Sequence, residues 1–205
     1  MFANGWLPIL ALLGMVSYVA MQPRGAYRGH WLLKALPVLL LMGWTLWSGV
    51  VLPLAFGLLF SAAGDVALAL DRKRYFIVGL LFFLIGHAFY IAAFAPDAVW
   101  SAGRLPLLLG IGVAAVGATT LMWPGLGKLR LPVLAYIGII AAMAGSAALR
   151  PGGTVVLLGA LFFMASDAMI GLDKFYRPLP HAHFWIMITY YLGQFLIAGG
   201  MVLAL

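Results

Sequence analysis

All five carboxylate side chains of the chain are aspartates, and two of them, Asp65 and Asp167, fall inside apolar stretches long enough to cross a bilayer. A carboxylate in hydrocarbon is expensive, so its default reading is functional. Each is followed six residues later by a second aspartate, Asp71 or Asp173, within the matching words FSAAGDVALALD and FFMASDAMIGLD. The two words point to one polar centre assembled from related halves. Two carboxyls that meet in a low-dielectric cavity are forced to share a proton. That provides one neutral acid and one carboxylate, the equipment of general acid–base chemistry.

The segment after each acid carries further polar groups at helical spacing. His87 and Tyr90, three apart, share one face, and so do Tyr190 and Gln194, four apart. For any one such pair, pinning neighbouring helices together is as good an account as chemistry. Six groups of this kind, two of them acids, favour a site.

The elements that must position these groups are helices in a bilayer. The 205 residues are 65% apolar and 8% charged, with a mean hydropathy of +1.11, which does not describe the surface of a soluble domain. Polar and Pro/Gly-rich interruptions leave apolar segments near 5–22, 31–48, 50–70, 75–95, 105–123, 131–149, 153–172 and 183–204, each long enough to span as a helix. The predicted fold is all-α, a polytopic membrane bundle of eight transmembrane helices forming a single integral-membrane domain over 1–205. An offset of four spans preserves direction, so the halves, about 1–101 and 102–205, are predicted to be two parallel four-helix repeats. The first segment lacks a basic n-region and a small-residue cleavage site and is read as a span. Cysteine is absent, which excludes disulfides and thiol chemistry. The net charge of +7 is scattered over connections without a basic run, which argues against nucleic-acid binding.

Arg24, Arg28, Arg72, Lys73, Arg74, Lys128, Arg130, Lys174 and Arg177 fall in alternate connections, with Lys34 just inside a span, and only Arg104 and Arg150 fall on the other side. The positive-inside rule therefore predicts both termini extracytoplasmic. At 1.5 Å per residue, Asp65 and Asp167 lie roughly 9 Å inward of Asp71 and Asp173. Those equal depths suit one shared cavity in the cytoplasmic half of the membrane. Asp71 and Asp173 themselves read as solvated helix-end charges beside Arg72, Lys73 and Lys174.

Four words occur in order over most of the chain, from Lys34 to the last span: Gly64-Asp65 after LLFSAA, Gly86-His87-Ala88-Phe89-Tyr90, Gly159-Ala160-Leu161-Phe162 leading to Ser166-Asp167, and Tyr190-Tyr191-Leu192-Gly193-Gln194. In these words the sequence resembles the YhhN-type membrane lysoplasmalogenases. It departs from that family's pattern where Lys34 is followed by Ala35, with the proline at Pro37, and where Gly193 stands in place of alanine. Neither change touches a carboxylate.

The resemblance implies hydrolysis of the alkenyl ether bond of a lysoplasmalogen, a lysophospholipid drawn from the lipid bilayer, to a fatty aldehyde and a glycerophospho-ethanolamine or -choline. A vinyl ether is cleaved by protonating its β-carbon and capturing the resulting oxocarbenium ion with water, a division of labour that glycosidases also give to two carboxyls. On this resemblance Asp65 and Asp167 are the expected catalytic pair, with neither assigned as the acid, and His87 orients water or one aspartate. Tyr90, Ser166, Tyr190, Tyr191 and Gln194 are expected around the substrate. Lys34 is expected near the headgroup level, to hold the lipid phosphate or simply to snorkel. No cofactor or metal is implied, and the expected location is a bacterial inner membrane.

Other readings of the same residues are a proton-coupled transporter in which the two aspartates exchange protons, and a structural role in which they pin helices. His181-Ala182-His183 invites a zinc site, but it lies in a loop after Pro178 and Pro180 with no Cys or Glu in support. Gly110, Gly112 and Gly117 read as small residues that let helices approach, and Trp31, Trp100, Trp123 and Trp185 as interfacial anchors.

Overall fold

The computed structural model describes residues 5–22, 29–70 and 74–205. Arg24, Arg28, Asp71, Arg72 and Lys73, used above to orient the chain and to bound a helix, lie outside the described residues. Among those described there is no strand. The helices are α1 (Trp6–Met21), α2 (His30–Trp47), α3 (Leu52–Leu70), α4 (Phe76–Phe94), α5 (Leu105–Met122), α6 (Arg130–Ala148), α7 (Thr154–Phe175) and α8 (Ala182–Leu203). Their ends fall within three residues of the apolar segments, because Pro, Gly and charge stop the helix and the apolar run at the same points.

Seven of these helices are long and apolar enough to cross a membrane, and α1 is a shorter apolar helix of 16 residues. Burial is inverted relative to a soluble protein. Leu131, Val113, Val116 and Leu109 are exposed while Lys34, Asp65, His87, Ser166 and Gln194 are buried. Apolar side chains outward and polar ones inward is the arrangement a bilayer demands, and the protein is a multi-pass membrane protein.

The chain divides into two compact units, one running to Ala93 and including Ala198–Leu205, the other Phe94–Ile197. In the first, α1 packs on α2, where a Cβ at Gly14 would stand 3.0 Å from the Pro37 ring, and α2 packs along α3. The α2–α3 turn is closed by Val50 N–H to Thr45 O (3.0 Å) and Gly49 N–H to Leu46 O (3.2 Å), with Gly49 at φ +76. This is the glycine-ended cap that lets a helix stop within one turn. On the other side of α3, Phe60 stacks on Phe89 of α4 at 5.5 Å, and Gly57 and Gly64 make room for the rings of Tyr90 and Phe83.

In the second unit α5, α6 and α7 pack on one another, with Met122, Leu126 and Val133 at one core cluster. The α6–α7 turn carries Pro151 and then Gly152 at φ +67 between Arg150 O and Gly153 N–H (3.3 Å), a type II pattern. Arg150 is buried there and bonded to Asp97 at 2.7 Å, while Val99 N–H donates to Leu149 O at 2.9 Å. One of the two cations that run against the positive-inside count is thus neutralised by a local acid. Helices α7 and α8 meet backbone to backbone: a Cβ at Gly159 would lie 2.8 Å from Gly193 O, and one at Gly193 would lie 2.9 Å from Gly159 O. Glycine at 193 is required by that crossing.

The close approaches are therefore not where the sequence suggests. A Cβ at Gly110, Gly112 or Gly117 would meet nothing within 4 Å, so these glycines face away from neighbouring helices. A count of small residues registers composition and is blind to the face on which they lie. Trp31, Trp100, Trp123 and Trp185, expected as interfacial anchors, are exposed.

Candidate active site

Each unit carries one buried or half-buried aspartate with a polar partner, built on a helical hairpin. In the first, Lys34 lies thirteen residues before the end of α2 and Asp65 thirteen residues after the start of α3. Antiparallel arms of equal length place both about 20 Å from the turn. Lys34 Nζ is 3.2 Å from Asp65 Oδ1, and the two residues are only 5% and 1% exposed. Lys34 is therefore not a snorkelling lysine, since its ammonium points into the protein at the aspartate. Removing two charges from water is unfavourable unless they meet, so the pair is a commitment to these groups rather than a source of stability.

One turn before Asp65 on α3, the buried Ser61 Oγ lies 3.5 Å from Tyr90 Oη. Tyr90 and His87, predicted on one face of α4, stand edge to face with ring centroids 6.5 Å apart. His87 is fully buried, and its Nδ1 lies 2.6 Å from the carbonyl of Phe83. A carbonyl only accepts, so Nδ1 carries hydrogen and in the neutral ring Nε2 is the acceptor nitrogen.

The second unit holds its aspartate at the same register and faces it with a different partner. Asp167 on α7 accepts a hydrogen bond to Oδ2 from the hydroxyl of Tyr136 on α6. Tyr136 lies twelve residues before the end of α6 and Asp167 thirteen after the start of α7. The separation of the partners, 31 residues, equals that between Lys34 and Asp65. Adding 102 to Lys34, Gly57 and Asp65 gives Tyr136, Gly159 and Asp167, so the phenol stands in the second hairpin at the register where the ammonium stands in the first.

Nearby, Ser166 Oγ donates to Ile186 O of α8 at 3.0 Å, and Tyr190 stands edge to face with Phe163 at 5.3 Å and beside Tyr191 at 5.4 Å. Tyr190, Tyr191, Gln194 and Ser166 are all buried, whereas Asp167 is half-buried. Asp173 is no simple solvated end charge: α7 runs on to Phe175, and Asp173 Oδ1 accepts the Leu179 N–H at 3.0 Å, folding the following loop back. His181 sits in that loop at φ +52. Among the described residues no three His, Cys, Asp or Glu gather as a metal site.

Tyr136 was not singled out by sequence reasoning, because a tyrosine in a membrane helix attracts no suspicion by its type. Two signals could have found it: its register about the α6–α7 turn, and its equivalence to Lys34.

The YhhN family model matches residues 29–201. The chain is 36% identical to human lysoplasmalogenase TMEM86A over 82% of its length and 75% of that protein's. Against human lysoplasmalogenase TMEM86B the identity is 38% over 81% and 72%. A lysoplasmalogenase of Mycobacterium bovis is 36% identical over 70% of this chain and 58% of its own. No solved structure matches.

Proposed function

The chain belongs to the YhhN family, and from that premise we propose that it hydrolyses the alkenyl ether bond of a lysoplasmalogen. The observation that carries the reading is the 36% identity, over 82% of the chain, to a protein named for that activity. The two polar hairpins supply a chemistry for it. A carboxylic acid delivers its proton to the vinyl β-carbon, the C=C π pair forming the new C–H bond and leaving an oxocarbenium ion. A carboxylate stabilises that cation and takes a proton from the water that adds at the α-carbon. The hemiacetal then loses its glycerol oxygen with a proton, giving aldehyde and glycerophospho-ethanolamine or -choline.

Asp65 and Asp167 are the proposed pair, one of them the acid and the other the carboxylate. His87, with acceptor character at Nε2, orients the water or an aspartate, and Tyr90, Tyr190, Tyr191, Gln194 and Ser166 bind the ether oxygen or glycerol hydroxyl. Lys34, bonded to Asp65, orients that carboxylate, and a lipid phosphate that entered the site would meet its ammonium there. The proposed setting is the cytoplasmic half of a bacterial inner membrane.

The test is purified protein in detergent, given a lysoplasmalogen. Free aldehyde should appear without an ion gradient and in the presence of a chelator, an outcome a proton-coupled transporter would not give. Absence of aldehyde from well-folded protein would overturn the assignment.

A further inference from the structure

We propose that Tyr136 is a positioning residue for this hydrolysis, holding Asp167 as the proton donor while Asp65 serves as the carboxylate. The inference rests on the hydrolytic reading above and adds to it a residue and a division of roles.

Three observations carry it. The ion pair between Lys34 and Asp65 requires Asp65 as the carboxylate. A reaction that uses one acid and one carboxylate then leaves the acid's role to Asp167. The hydroxyl of Tyr136, itself buried, donates to Asp167 Oδ2. And Tyr136 stands at the position, 31 residues before its aspartate, where the first half has an ammonium. An ammonium there would hold the second aspartate as an ion-pair partner, whereas a phenol donates one hydrogen bond and brings no charge.

That bond has two consequences. An oxygen that accepts the phenol's hydrogen acts as the carbonyl oxygen of the acid, so the transferable proton belongs on Oδ1 and the carboxyl cannot turn about its last torsion. When the Oδ1–H bond breaks and the proton passes to the β-carbon, negative charge develops on the carboxyl. The phenol's hydrogen bond then strengthens, because bonds to ionised acceptors are about twice as strong as neutral ones. The contribution falls in the transition state and should be read in kcat.

Tyr136→Phe removes the donor and little else. In the aldehyde-release assay kcat should fall about ten- to a hundredfold with KM within about twofold of wild type, the size expected for one hydrogen bond to a charged group. An unchanged kcat, or a rise in KM with kcat intact, overturns the proposal. Infrared difference spectra give a second readout: the carboxyl C=O band that Asp167→Asn removes should shift in Tyr136→Phe, and a band in the same place overturns the proposal. Should the phenylalanine variant not fold, Tyr136→Gln, which keeps a donor, must retain more activity than Tyr136→Leu, and equal loss in both counts against it. Tyr136→Lys should be inactive. A wild-type protein that releases no aldehyde while the band still shifts would sink the hydrolytic reading and leave the hydrogen bond standing.

Discussion

The α2–α3 and α6–α7 hairpins hold an aspartate at the same place along the same kind of helix, and face it with different chemistry: Lys34 against Asp65, Tyr136 against Asp167. Scaffold and spacing are shared and the partner is not. One register can therefore present two identical side chains with different partners, an ammonium in the first hairpin and a phenol in the second. The surroundings diverge as well, since Asp65 is almost fully buried and Asp167 only half.

The largest expected effect tests whether both acids act on one bond. Asn at Asp65 or at Asp167 should lower turnover by about a thousandfold or more, at the upper end of what acid–base groups supply. The double variant should be no slower than either single one, because groups that act as a unit do not add. Independent, multiplying losses would mean that the two hairpins do separate things.

Stability should then separate what activity does not. Asp65→Asn leaves a buried ammonium opposite an amide and should cost about 3–5 kcal/mol in detergent unfolding. Asp167→Asn keeps an oxygen for the Tyr136 hydroxyl and should cost about 1 kcal/mol. Adding Lys34→Met to Asp65→Asn should recover most of the lost stability and none of the turnover. Equal destabilisation by the two Asn variants would erase the distinction between the hairpins.

Smaller effects concern how the second hairpin meets α8. Gly193→Ala forces a Cβ to within 2.9 Å of the α7 backbone and should cost about 1–3 kcal/mol by thermal shift. Gly110→Ala meets nothing and should stay within about 0.5 kcal/mol of wild type. Smallest of all, Asp97→Asn opens a pair to Arg150 whose acid is 61% exposed, and the change should not exceed about 1 kcal/mol.

The helices were legible because Pro, Gly and charge interrupt the apolar runs at the points where the chain turns, and the aspartates because a carboxylate inside such a run is conspicuous. The partners were harder to see. Lys34 was assigned by its distance from the near end of its helix, which suggested the interface. Its register about the α2–α3 turn, equal to that of Asp65, gives the pair directly. Tyr136 could not be picked by type among fourteen percent aromatic residues; its register about the α6–α7 turn, with the same 31-residue spacing as Lys34 and Asp65, isolates it. The α7–α8 crossing was hidden for another reason. Which glycine faces a helix and which faces lipid depends on helix rotation, and the almost uniformly apolar faces of these helices do not report it.

Each hairpin measures out its pairing from the bend, so the glycine-closed turns behave as the zero mark of a ruler. Adding one residue to an arm between bend and aspartate would displace that side chain by about 1.5 Å and swing it by about 100° around its axis. The acid would then lie alongside lipid or an apolar neighbour. Lengthening the connection from α3 to α4, which lies beyond the measured stretch, leaves the gauge untouched. Natural variation in chain length among proteins of this build should accordingly collect outside the two gauged intervals, 34–65 and 136–167.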